Sequence, residues 1–571
     1  MSCNFVLGGI CWVSPTAAPV TVFGFAEVMT ALTLLMVFYT ISDARYRFRM
    51  AIAPLPITKL GFWSLGAIGL LSLITDMWFA EGWAVPVFVD NQVFWQSAFA
   101  IIFLAVVFLW IYHGFINPPI FSHRNAKQYF QVLFTWMVRG ADDELTMIAH
   151  ELHRSAEALV RLSWRREKRE EDADPVALYK KHSADTANYA FNILLLIGSR
   201  KLCRHMARSS PLTAITLFEA MSDHKKYVTA LGPFAMNIAS EAILYEESPL
   251  YHEESGYYEG LMGYWRPFSM ALYGDYSLVE AMGQDNRSPL DIDYQQKSSW
   301  NHKQFEAYAR VALIAWESYL QASGGRSHSY TMYRAFGAIT QRTFSIYKLD
   351  GVDEGAYESE QAKDLQTAVQ FLCDAVDKLG KLDRLPPIQR SRGRQQLNND
   401  IFDLIAKAMF DVLFNASKVR GPVTVSWELQ HSNTWARFFS FNDSASWRIV
   451  RRKLCRLLYE EIKVITNSPN FKTARILGIC LNVMGLQLRR RQKYGQPYYP
   501  LHKAVLNLAR NHFLAMQQSR PAVANAVITG SLTLDLENKR LVKTYTGWYG
   551  EDGEKEYLDL AEPQAQQAYA S

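Results

Sequence analysis

The sequence predicts a membrane protein that is mainly α-helical. Three transmembrane helices precede a large α-helical cytoplasmic region with a small β-hairpin near the C-terminus. Three observations predict this. Three apolar stretches lie in the first 120 residues, which hold only four Lys/Arg and five Asp/Glu of the 571-residue chain. Beyond them apolar residues recur at steps of three and four, the helical period. Near the end the period shortens to two, that of a strand.

The spans run from about Pro19 to Ile41, Leu60 to Ala80 and Val93 to Ile116. Each supplies the run of about 20 residues that a hydrocarbon core of roughly 30 Å requires. Aromatic residues mark their ends, with Trp12, Trp78, Trp83 and Trp95 at one interface and Tyr39, Tyr46, Trp63, Trp110 and Tyr112 at the other. The first loop carries Arg45, Arg47, Arg49 and Lys59, whereas the second carries Asp76, Glu81 and Asp90 and no cation. Arg124, Lys127 and Arg139 follow the third span. Positive charge stays inside, so the N-terminus is expected outside an inner (plasma) membrane, with the first loop and everything after Asn117 in the cytoplasm. With no basic residue ahead of the first span, no cleaved signal peptide is expected.

Glu27 is the ionisable residue well inside a span. A carboxylate at depth needs a partner, water or a proton, and Thr30 and Thr33, one and two turns on, form a candidate polar stripe with it.

In the remaining chain, Leu145, Ile148, Leu152, Leu159 and Leu162 fall at coiled-coil-like steps with Ala156 near the missing position, which predicts a helix packed on a partner. His150 and His153 flank this seam without a metalloprotease spacing. YAFNILLLIG (189–198) is too short to span and reads as a buried helix. Stripes such as Leu365, Val369, Leu372, Val376 and Leu379 predict further helices. Leu532, Leu534 and Leu536, the turn ENKR and then LVKTYT predict the hairpin, and AEPQAQQAYAS a frayed tail. The expected division is residues 1–120, 121–385 and 386–571, the last boundary lying in the basic link LDRLPPIQRSRGRQQ.

Two segments carry candidate chemistry. In the loop-rich stretch 241–300, acidic side chains alternate with aromatic rings, and Glu246, Glu247, His252 and Glu254 are the catalytic candidates. Carboxylates forced together can have raised pKa values and act as general acids. Arg390, Arg392 and Arg394 in the link, with Arg451 and Arg452 on a helix face shared with Arg448 and Lys453, are candidates for binding an anion such as a lipid head group. Past residue 120 the net charge is near +6, too mild to argue for nucleic acid. Cys3, Cys11, Cys203, Cys373, Cys455 and Cys480 form no zinc or redox spacing and suit a reducing compartment. No metal or cofactor is implied. Phosphate-binding, dinucleotide, nucleophile-elbow and kinase motifs are absent.

The reading that joins these features is a membrane-anchored helical scaffold. It binds a cytosolic protein partner, or a second copy of itself, and couples that event to the bilayer, as an oligomeric pore or effector of a bacterial stress or defence response would. A membrane-tethered enzyme using residues 241–265, and a binder of nucleic acid or anionic lipid through basic helix ends, are the alternatives.

Overall fold

The computed structural model describes residues 5–7, 10–14, 23–41, 43–87, 91–164, 185–253, 265–353, 355–388, 400–440, 444–488, 498–546 and 552–562. It is mainly helical and divides into two compact units, Met1–Phe234 and Ala235–Ser571. The boundaries expected at 120 and 385 lie inside these units.

In the first unit, helices α1 (Phe25–Ile41), α2 (Ala44–Ile52), α3 (Ile57–Ala80) and α4 (Gln92–Ile111) come first. A π-helical turn, Tyr112–Ile116, extends α4. α1 and α4 both pack on α3, where Val28, Ile68 and Phe99 meet. Their outer faces are apolar; Ile101 and Phe108 of α4 are 67% and 66% exposed. At about 25 cal/mol per Å² such surface opposes solution in water and suits hydrocarbon.

Among the described residues two helices, Lys59–Ala80 and Gln92–Ile116, are long and apolar enough to cross a membrane. The sequence predicts three. The first expected span becomes helical only at Phe25, and its 17 residues reach about 26 Å at 1.5 Å per residue. Phe23 and Gly24 extend the apolar run but are not helical.

A small antiparallel sheet, absent from the sequence reading, joins β1 (Phe5–Leu7), β2 (Ile10–Val13) and β3 (Val85–Pro86). Trp12 lies opposite Pro86 and Val13 opposite Val85, so the N-terminal strands sit against the α3–α4 loop. Cys11 is disulfide-bonded, which corrects the reducing-compartment reading for this end of the chain.

Helices α5 (Ala126–Arg139), α6 (Asp142–Leu162), α7 (Thr186–Ile197), α8 (Arg200–Ser209) and α9 (Pro211–Asp223) complete the unit. The stripe Leu145, Ile148, Leu152, Ala156 and Leu159 is buried beneath α7, α8 and α9 of the same chain. It is an internal core face, not a coiled-coil seam left open for another chain. α7 is the expected buried helix, with Ile193, Leu194 and Ile197 fully enclosed.

The unit boundary falls within α10 (Gly232–Leu244). The second unit then contains α11 (His302–Ser323), α12 (Tyr330–Arg342), α13 (Glu360–Gly380), α14 (Ile401–Ala416), α15 (Ala445–Lys463), α16 (Phe471–Met484) and α17 (Tyr499–Ser519). α13 and α14, either side of the basic link, pack on each other.

The expected hairpin, β4 (Leu532–Asp535) and β5 (Arg540–Thr546), gains a third strand, β6 (Asp552–Asp559). Lys543 and Glu556 face each other across β5 and β6, both buried. Glu556 accepts the Leu486 amide at 2.7 Å and the Lys543 ammonium donates to the Asn482 carbonyl. Asn482 donates to Gln430, 2.9 Å, which donates to the Val419 carbonyl at 2.7 Å. A buried polar network thus docks a sheet that alone would be marginal.

Candidate functional site

The last turn of α4, helix α2 and helix α6 meet at an elbow built on one buried ion pair. Asp43 caps α2 through the Arg45 amide, and Pro54 and Pro56 follow its last turn. Arg45 and Arg49, four residues apart, share a face. Phe48, fully buried, packs edge-on against Tyr129 at 5.9 Å and Trp136 at 5.5 Å. That seats α2 on α5 and turns Arg49 toward α6.

Arg49 grips Glu151 with two parallel bonds, Nε to Oε2 at 2.9 Å and Nη2 to Oε1 at 2.7 Å. Its Nη1 donates to the Gly114 carbonyl at 3.0 Å, inside the π-helical turn. A π-turn widens the backbone and displaces carbonyls from the α ladder, and a cation at a helix C-terminus is favourable. Side chains of Arg49 and Glu151 are 12% and 8% exposed, so this pair sits in low dielectric. Arg45, 3.5 Å from Glu151 but 44% exposed, is screened and adds little.

Surrounding bonds fix the same joint. Asn125 Nδ2 donates to the Ile52 and Ile120 carbonyls, each at 3.0 Å. Ser155 Oγ accepts the Phe121 amide at 3.1 Å and the Tyr129 hydroxyl at 3.3 Å. Burial pushes the Tyr129 phenol far above its ordinary range, with Ser155 opposing the shift and Glu151 adding to it, so it stays protonated. The Tyr46 and Phe115 rings meet at 4.4 Å. Helix α2, the end of α4 and helices α5 and α6 are therefore one jointed body.

Beside the elbow lies a polar basin of about 710 Å³, whose lining includes Lys59, His123, Arg124, Lys127 and Thr186 and, among the described residues, no carboxylate. His123 Nδ1 and Thr186 Oγ1 are 3.0 Å apart. Phe62 and Trp63, three and four residues beyond Lys59 on the same face of α3, are 57% and 74% exposed.

At the other end of the helices Glu27 is exposed, and its Oε2 accepts the Gly24 amide at 2.9 Å. Thr30 and Thr33 bond the Ala26 and Met29 carbonyls of their own helix, each at 2.9 Å, so the expected stripe with Glu27 does not form. Polar partners come from other helices instead. Asp76 of α3 accepts from Gln92 at 3.0 Å and Gln96 at 3.3 Å, and buried Gln96 accepts the Phe23 amide at 3.4 Å. A Cβ added at Gly24 would lie 3.3 Å from Glu27 Oε2 and 3.7 Å from Asp76 Oδ2, so both carboxylates border that glycine.

Glu246 accepts from Asn301 Nδ2 at 2.8 Å, beside the cap of α11. Glu247 and His252 are exposed, and Glu254 lies outside the described residues. Neighbouring Glu253, buried, accepts the Phe268 and Ser269 amides at 2.8 and 2.9 Å and so caps the helix Pro267–Tyr273.

Arg390, Arg392 and Arg394 lie outside the described residues, and Arg452 is exposed. Arg451, expected on an outer face, is buried; it donates to the Ser440 carbonyl at 2.9 Å and lies over Trp447. Lys453, expected there too, bonds Asp400 at 2.9 Å and Asp403 at 2.6 Å. His153 meets Thr216 at 2.8 Å, and no metal-binding group of His, Cys, Asp or Glu occurs among the described residues.

Sequence reasoning missed Glu151. It sits one turn after Ile148 on the stripe that enters the core, and a charge there calls for a partner. No family model, curated protein or solved structure matches the chain.

Proposed function

We propose that the protein is a membrane-anchored helical receptor, whose spans hold a cytoplasmic body and whose elbow passes a binding event in that body to the bilayer. The observation that carries this reading is the Arg49 guanidinium, bonded at once to Glu151 of α6 and to Gly114 at the end of α4. A passive tether needs no such joint.

The three-span topology draws support from the two ends of the helices. β2 pairs with β3, which keeps the N-terminal strands beside the α3–α4 loop. The elbow keeps α2 beside the end of α4. A chain joined in this way passes between the two ends through α1, α3 and α4. A helix as short as α1 is accommodated by local thinning of the bilayer. The bonded Cys11 fits an oxidising outer face, and the cationic first loop an inner one. In a homo-oligomer, exposed Glu27 faces water or a neighbouring copy, since a lipid-facing carboxylate must protonate or draw in water.

Amide exchange of the full chain in lipid nanodiscs tests the coupling. Arg49→Ala is expected to raise exchange together in Arg45–Ala53, Tyr112–Asn117 and the middle of α6. A rise confined to Arg45–Ala53 would show that spans and body are independent, and would contradict the receptor reading.

The basic basin favours a second reading, in which anionic lipid heads dock beside the elbow at Lys59, Arg124 and Lys127 rather than at the arginines read from the sequence. Each cation near an anionic surface contributes about 1 kcal/mol. Phosphatidylglycerol is therefore expected to raise the Tm in nanodiscs above that in phosphatidylcholine, and alanine at all three positions to abolish the rise. An unchanged rise in the triple variant would remove the basin from lipid recognition.

A further inference from the structure

The second unit holds an open cavity of about 520 Å³, within the roughly 300–1,000 Å³ of small-molecule sites. Its lining combines cations with aromatic rings and includes no carboxylate among the described residues. Lys297 is half-buried with its ammonium 5.3 Å from the centre of the Tyr308 ring. Lys348 is exposed at the rim. Neither ammonium has a carboxylate within ion-pair distance among the described residues. Burial lowers the Lys297 pKa, with Asp291 and Asp293 opposing the shift and Arg334 adding to it.

The third cation serves the wall. Arg342 bonds Asp364 at 2.7 Å and the Trp300 carbonyl at 2.6 Å, and so fixes the indole in place. Asp364 also meets His302 Nδ1 at 3.0 Å, so its charge is matched by Arg342 and not by the cavity lysines. Trp300 is 4% exposed, and its indole N–H is buried with no acceptor among the described residues. At the rim Phe344 and Tyr347 are 57% and 46% exposed, with ring centroids 5.7 Å apart and nearly perpendicular. The cavity therefore brings positive charge and two exposed aromatic rings together, with the Lys418 ammonium 3.8 Å from the centre of the Phe344 ring.

We propose that this cavity binds a nucleotide, with the base against Phe344 and Tyr347 and the phosphate between Lys297 and Lys348. A base stacks on an aromatic side chain, and phosphate adds a salt-dependent attraction through the lysines. An acidic peptide would leave the rings uncovered, and a neutral aromatic would leave Lys297 without its counter-charge. The assignment needs only the second unit and stands whether or not the elbow couples it to the membrane.

The test is calorimetric titration of the detergent-solubilised full chain with the 5′-monophosphates of adenosine, guanosine, cytidine and uridine. Adenosine and inorganic phosphate serve as partial ligands. At least one nucleotide is expected to bind below about 1 mM, roughly tenfold or more tighter than either partial ligand. Lys348→Glu and Tyr347→Ala, both at exposed positions, are each expected to weaken binding about tenfold. Lys348→Arg should keep it. The proposal is overturned if no nucleotide binds below that limit, if phosphate alone binds as tightly, or if Lys348→Glu and Tyr347→Ala leave affinity unchanged while circular dichroism shows both folded.

Discussion

Arg49→Ala is expected to destabilise the first unit by about 3–5 kcal/mol, because it leaves Glu151 buried without its partner. The carboxylate would lose both short bonds, and Gly114 the donor that holds the π-turn. Arg45 cannot replace them: at 3.5 Å and 44% exposed it is held loosely and screened. Thermal unfolding in detergent measures the loss. A double variant sharpens the result. Arg49→Met with Glu151→Leu removes both charges and keeps side-chain bulk, and is expected to recover most of the stability. If the double variant is as unstable as the sum of the single ones, the pair is not coupled and the elbow is not the joint described above.

Gly478→Ala is expected to destabilise the second unit by about 2–3 kcal/mol. Gly478 lies inside α16, where alanine would normally gain roughly 1 kcal/mol in helix propensity. The backbone of Val527 occupies that space instead: an added Cβ would sit 2.4 Å from its carbonyl oxygen and 3.0 Å from its carbonyl carbon. Backbone cannot rotate away as a side chain can. Val527 belongs to the turn leading to β4, and nearby Thr529 receives the Gln430 bond, so the clash reaches the docking of the sheet. Gly337 in α12 is the matched control. It has nothing within 4 Å of an added Cβ, and Gly337→Ala is expected to stabilise by about 0.4–1 kcal/mol. Equal effects at the two positions, read by chemical denaturation, would contradict this packing.

The elements legible in the sequence were those with a strong local period. α4 announces itself through an uncharged run, and the stripe from Leu365 to Leu379 through its spacing, because one buried face is enough to specify either. The elbow was not legible, since Arg49 and Glu151 are 102 residues apart and neither stands in a motif. Arg451 was misread although its spacing carried the answer. It stands one turn after Trp447 and one residue past Val450, both buried, and its length lets the charged end reach the Ser440 carbonyl while the stem stays inside. β6 was hidden by its charges. The run DGEKEYLD reads as solvated, yet Glu556 is buried because Lys543 lies opposite it on β5. The Lys297–Lys348 cavity draws on residues from separate helices that only the fold brings together.

The most direct test of the central claim, that the chain crosses the membrane with its helical body inside, is thiol labelling of whole cells with an impermeant maleimide. Background labelling is low: the Cys203, Cys373 and Cys480 side chains are buried, Cys11 is bonded, and burial pushes the Cys373 and Cys455 thiols up to about 12. Single cysteines replace three exposed residues, Arg47 before α3, Glu81 after it and Glu537 in the β4–β5 turn. Glu81→Cys is expected to label in intact cells, and Arg47→Cys and Glu537→Cys only after permeabilisation. Equal labelling of Glu81→Cys and Arg47→Cys in intact cells, or of Glu81→Cys and Glu537→Cys, would contradict the account.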